Sequence, residues 1–117
     1  YRLRADPRLA PDVLNCSRFT QWLFARKGIA LPAMARKQQR LAVPVRPDDI
    51  SPEDLIFLVG RNDHLRDDLA PGDAGHVGIV TSQTTYIHAS FVHGTVVEER
   101  LDEIQPHHLL GFGRIRI

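Results

Sequence analysis

His76-Val77-Gly78-Ile79-Val80, then Ser82-Gln83-Thr84, then Thr85-Tyr86-Ile87-His88-Ala89-Ser90 sets two apolar runs on either side of a short polar one. The two apolar, β-branched runs read as strands over His76–Thr81 and Thr85–Phe91. The short polar Ser82–Thr84 segment makes them an antiparallel hairpin. Pairing brings His76 and His88 close together, and Gly78, beside His76, leaves room for another group to approach.

Working outward, Thr95–Glu99 reads as a third strand of the same meander. After a connection over Leu101–Leu110, the Phe112–Ile117 alternation closes the sheet. Upstream, the turn chemistry of Ser51-Pro52-Glu53-Asp54 leads into Leu55–Val59, a continuous apolar run expected to be a buried strand. Residues 60–75 are polar, with three Gly and one Pro, and form a long loop of a kind often tied to function.

The first third of the chain is helical in pattern. Phe19, Trp22, Leu23 and the stem of Arg26 recur at i, i+3, i+4 and i+7. Asn15 suits an N-cap and Gly28 a stop. Pro32 opens a second, basic helix over Ala33–Ala42, which Pro44 and Pro47 end. Residues 1–14, with Pro7 and Pro11, read as an irregular lead-in. Helices first and a β-meander after predict an α+β fold with segregated layers.

Composition narrows the function classes. The 117 residues carry 15 Lys+Arg against 14 Asp+Glu, a net charge of +1, with 43% hydrophobic residues. Such a chain suits one domain over residues 1–117 with a single core. A near-neutral balance argues against a nucleic-acid partner, and no apolar run approaches the roughly 20 residues of a membrane span. The chain starts at Tyr1, not Met, so it is expected to be trimmed or cut from a longer protein, in which additional domains can accompany it, and the absence of a signal peptide carries no weight.

The lone cysteine, Cys16, excludes an intrachain disulfide and a cysteine zinc cage. It falls at the start of the first predicted helix, where the helix dipole favours thiolate over thiol. With His76 as base and His88 orienting the His76 ring, a nucleophilic Cys–His–His arrangement is available. The spacing fits equally a small core cysteine with two hydrogen-bonded sheet histidines. His64, His93, His107 and His108 lack metal-ligand spacing and read as surface residues. Cys16, His76 and His88 are zinc-type ligands, yet nothing in their spacing assigns a metal or a cofactor. Arg36-Lys37-Gln38-Gln39-Arg40 reads as a solvated helix face.

Six stretches in order carry a resemblance: Asn15-Cys16-Ser17-Arg18-Phe19, Gly28-Ile29-Ala30-Leu31-Pro32, Gln38-Gln39, Pro52-Glu53-Asp54-Leu55-Ile56-Phe57, His76-Val77-Gly78-Ile79-Val80 and Tyr86-Ile87-His88-Ala89. The chain resembles the NlpC family of bacterial cell-wall cysteine peptidases, which have a papain-like fold. The resemblance implies that Cys16 is the nucleophile, His76 the base and His88 the orienting residue. It implies hydrolysis of an amide in peptidoglycan stem peptides, typically next to a D-amino acid, without a cofactor. The site of action would be the cell envelope, periplasmic or secreted.

The departures from the family pattern fall around the nucleophile. Asn15 stands where Asp is usual and Arg18 where Gly is frequent. Pro52-Glu53-Asp54 replaces a Pro-Gly-Asp turn. A glycine pair before the cysteine is missing, and Tyr1 matches an upstream tyrosine that lines the family's site. Asn15, Ser17, Arg18 and Tyr1 are thus candidate substrate-binding positions, with Ser17 also supporting the first helical turn. The departures also suit two rivals: an inactive wall- or partner-binding module on this fold, or a papain-like hydrolase of a non-wall acyl bond.

Overall fold

The computed structural model describes residues 16–60, 63, 67–90 and 95–116. Two helices, α1 (Cys16–Ala25) and α2 (Ala35–Leu41), precede six strands: β1 (Val43–Val45), β2 (Leu55–Leu58), β3 (His76–Val80), β4 (Thr85–Ser90), β5 (Thr95–Arg100) and β6 (Leu109–Arg114). The strands form one sheet in the order β1-β6-β2-β3-β4-β5, and every neighbouring pair is antiparallel. The fold is α+β, as the order of patterns predicts.

The apolar run at β2 is explained by its central place. Leu55 and Phe57 point into the cluster beneath the helices, together with Cys16, Phe24, Leu31, Val77 and Ile79. Ile56 and Leu58 point the other way, packing with Ile50, Val80, Tyr86 and Phe112. A strand buried on both faces loses the polar alternation of a half-exposed one. Leu55 and Ile56 are 0% exposed, and burying each such side chain is worth about 1.5–3 kcal/mol.

Four readings of the sequence are corrected. β1 was hidden by Pro44, which lacks an N–H. It is tolerated because, among the described residues, β1 is an edge strand bonded to β6 alone. β6 begins three residues earlier than the Phe112–Ile117 pattern indicates, because its ladder with β2 starts at Leu109 and shifts register between Phe57 and Leu58. The helix face is rotated: α1 buries Cys16, Ser17, Phe19, Thr20 and Phe24. Trp22 is instead half-buried under the Arg26 guanidinium, 5.0 Å from its ring centre. Finally, α2 is not a uniformly solvated face, since Gln38 is 0% exposed.

Candidate active site

Cys16 opens α1, is 7% exposed, and its Sγ lies 3.9 Å from the carbonyl oxygen of Gly75. Gly75 directly precedes β3. The thiol is therefore held against the backbone that delivers His76.

Two adjacent glutamines fix this juncture from α2. Gln38 Nε2 donates to the carbonyls of Ser17 (3.0 Å) and Pro32 (2.8 Å), and its Oε1 accepts from the Thr20 hydroxyl at 2.7 Å. These bonds use both N–H groups and the oxygen of a buried amide and hold the first turn of α1. Gln39 reaches the other way. Its Oε1 accepts from the Ala74 N–H at 2.8 Å and its Nε2 donates to the Gly72 carbonyl at 3.0 Å. One helical step thus ties together the turn that carries Cys16 and the loop that leads to His76.

The two histidines meet as the hairpin reading predicts. The β3–β4 register pairs Ile79 with Ile87 and Val80 with Tyr86, so Gly78 falls opposite His88 and His76 lies diagonal to it. His76 Nε2 and His88 Nδ1 are 2.7 Å apart, and the rings meet edge to face at 86°. Gly78 is required for this approach. A Cβ there would come within 2.8 Å of the Ile87 carbonyl oxygen and 3.1 Å of His88 Cβ.

Desolvation, helped by the neighbouring charge of His88, lowers the His76 pKa to about 3. A neutral imidazole has one ring nitrogen to accept a proton and one N–H to give. Beyond His88, Glu99 Oε2 lies 3.3 Å from the buried Nε2. Tyr86 stacks on the His88 ring at 4.9 Å and donates its hydroxyl to the same Glu99 oxygen at 3.3 Å. Burial first, then the Glu99 charge, pushes the Tyr86 phenol well above its ordinary range, keeping it a donor.

Of the residues singled out in the sequence, Cys16, His76 and His88 gather at one end of the β3–β4 hairpin. Ser17 is buried and lends its carbonyl to Thr20 and Gln38. Arg18 is half-buried and donates to Gln21 Oε1 at 3.0 Å, along its own helix. Tyr1, Asn15, His64 and His93 lie outside the described residues. His107 and His108 are exposed, their rings 4.2 Å apart. Among the described residues no group of three His, Cys, Asp or Glu is gathered to hold a metal ion. The sequence reading missed the roles of Gln38 and Gln39, although both were part of the resemblance. It gave Tyr86 no role although that residue too stood in the resemblance, and it missed Glu99 altogether.

The sequence model of the NlpC/P60 family matches residues 7–113. The chain belongs to the NlpC/P60 family. It is 30% identical over 105 residues to a probable endopeptidase p60 of Listeria seeligeri, covering 90% of this chain but 18% of that protein. An NLP/P60 protein of Staphylococcus aureus, described as similar to lipoprotein, superposes with a TM-score of 0.76 at 22% identity. It spans 98% of this chain, which covers 35% of that one. The peptidoglycan hydrolase RipB of Mycobacterium tuberculosis gives a TM-score of 0.69 at 23% identity, over 86% of this chain and 44% of that one. The NlpC/P60 chain described here therefore spans less than half of each of these relatives.

Proposed function

We propose that this NlpC/P60 chain is a cysteine hydrolase domain that cleaves amide bonds in peptidoglycan stem peptides. The observation that carries the reading is the His76–His88 pair, 2.7 Å apart, beside a thiol anchored on the residue before His76. In the reaction, His76 turns Nε2 to His88 and uses Nδ1 to take the Cys16 proton. Cys16 Sγ then attacks the amide carbon. The backbone N–H of Cys16, at the start of α1, faces the developing oxyanion, where the helix dipole adds stabilisation. His76 passes its proton to the departing amine, and water releases the acyl group from Cys16 by the reverse sequence. The scheme uses side chains, backbone and water only.

Burial lowers the His76 pKa to about 3 and keeps its imidazole neutral near pH 7, so it is a weak base in the resting site and takes the thiol proton only as His88 steadies the imidazolium during attack. The relatives named for endopeptidase and peptidoglycan hydrolase activity support the substrate class. A cell-envelope setting follows from that substrate. No helix among the described residues is long and apolar enough to cross a membrane. Asn15, Arg18 and Tyr1 would select among stems. For Arg18 this means exchanging its Gln21 contact for a substrate carboxylate.

The test is incubation with purified peptidoglycan, with masses of released muropeptides read over time. New free amino groups within the stem support the reading. Binding to the sacculus without new products would favour a non-catalytic module, and hydrolysis confined to thioester or ester probes would favour a non-wall hydrolase.

A further inference from the structure

We infer that Glu99 is a positioning residue for this site, fixing the tautomer and orientation of His88 so that His76 presents the correct nitrogen to Cys16. The inference rests on the cysteine-hydrolase reading and extends the chain of groups by one carboxylate.

The register creates the relay. In the β4–β5 ladder Tyr86 stands opposite Glu99 and His88 opposite Val97. Glu99 is therefore directly across from Tyr86 and diagonal to His88, within reach of both. Its Oε2 lies 3.3 Å from His88 Nε2 and 3.3 Å from the Tyr86 hydroxyl. Stacking of Tyr86 on His88 keeps the imidazole in one plane, so the carboxylate and both rings form one block on outer strands.

Proton bookkeeping gives the block its direction. A carboxylate only accepts hydrogen bonds, so it favours the His88 tautomer that carries its proton on Nε2. Nδ1 of that tautomer is an acceptor, and the 2.7 Å contact then requires His76 to carry its proton on Nε2. His76 Nδ1 is left as the acceptor for the thiol proton. The reverse tautomer of His88 would place a proton on its Nδ1, make His76 Nε2 the acceptor, and leave an N–H pointing at the thiol. Loose carboxylate–imidazole distances commonly tighten when the site closes on substrate. The negative charge also steadies the His76 imidazolium through His88 while the thiolate attacks.

The experiment uses the whole chain as wild type, Glu99→Gln and Glu99→Ala. Histidine tautomers are read by ¹⁵N NMR, and kcat and KM are measured on a defined stem peptide. Glu99→Gln is near-isosteric, so it keeps the fold even if Glu99→Ala proves unstable. The wild type is expected to show His88 protonated on Nε2. Loss of the carboxylate is expected to mix the tautomers and lower kcat by about 10- to 100-fold with KM within twofold, more in Ala than in Gln. An unchanged tautomer together with unchanged kcat in both variants would overturn the inference while leaving the hydrolase reading intact. A wild type that cleaves no stem peptide would overturn that reading, and the positioning role of Glu99 in catalysis with it.

Discussion

Gln38 Nε2 donates a 3.0 Å hydrogen bond to the carbonyl oxygen of Ser17, the residue after Cys16. A fully buried amide in α2 thereby holds the first turn of the helix that begins at Cys16, and the same amide bonds Pro32 and Thr20.

Gln38→Ala should consequently destabilise the protein by about 2–4 kcal/mol, because three hydrogen bonds are lost and a cavity opens where a fully buried side chain stood. Urea unfolding measures this directly. Gln39→Ala, whose partners are the exposed Gly72 carbonyl and the Ala74 N–H, should cost far less stability.

Glu53 occupies the left-handed region at φ 79°, at the position where the family's Pro-Gly-Asp turn has glycine. The turn survives because it is tied at several points. Glu53 N–H donates to the Val80 carbonyl, and the Asp54 carboxylate accepts from the Ser51 N–H and from Nε and Nη2 of Arg114. The side chain of Glu53 also pairs with Lys27 at the surface, a contact of small worth. Glu53→Gly should therefore stabilise the fold by about 0.5–1 kcal/mol, the relief of left-handed strain exceeding the added chain entropy. A thermal melt raised by a few degrees is the expected result.

His76 links stability to pH. Its pKa falls from 6.5 to about 3 on folding, so between those values the unfolded chain binds a proton that the folded chain does not. The stability tied to a neutral His76 is complete above about pH 6.5 and declines as pH falls toward 3, at up to about 1.4 kcal/mol per pH unit. His76→Gln should flatten this decline. Urea midpoints of wild type and variant at pH 7 and pH 4.5 provide the comparison, and parallel declines would contradict it.

The legible parts of the fold were those with a local signature. The β3–β4 hairpin follows from two β-branched runs and a polar turn, and it carries His76 and His88 together without any long-range information. Gly28 stops α1 in a left-handed turn at φ 80°, as its position after the helix suggests. What stayed hidden depended on partners distant in sequence. Gln38 looks like one more polar residue in a basic helix until Ser17, Thr20 and Pro32 surround it. Thr20 breaks the apolar face for the same reason. Pro44 argues against a strand unless β6 is known to leave it on an edge. Glu99 reads as the solvated end of a strand, and its relation to His88 exists only through the β4–β5 register.

The central claim is that Cys16 is the nucleophile, and the most direct measurement is the rate of stem-peptide cleavage by Cys16→Ala beside wild type. Both proteins would be checked for equal folding by circular dichroism. The account predicts a fall of at least about 10³-fold in the variant with the fold retained, since no other group in the scheme can form the acyl-enzyme. A folded Cys16→Ala protein that cleaves within about tenfold of wild type would contradict it.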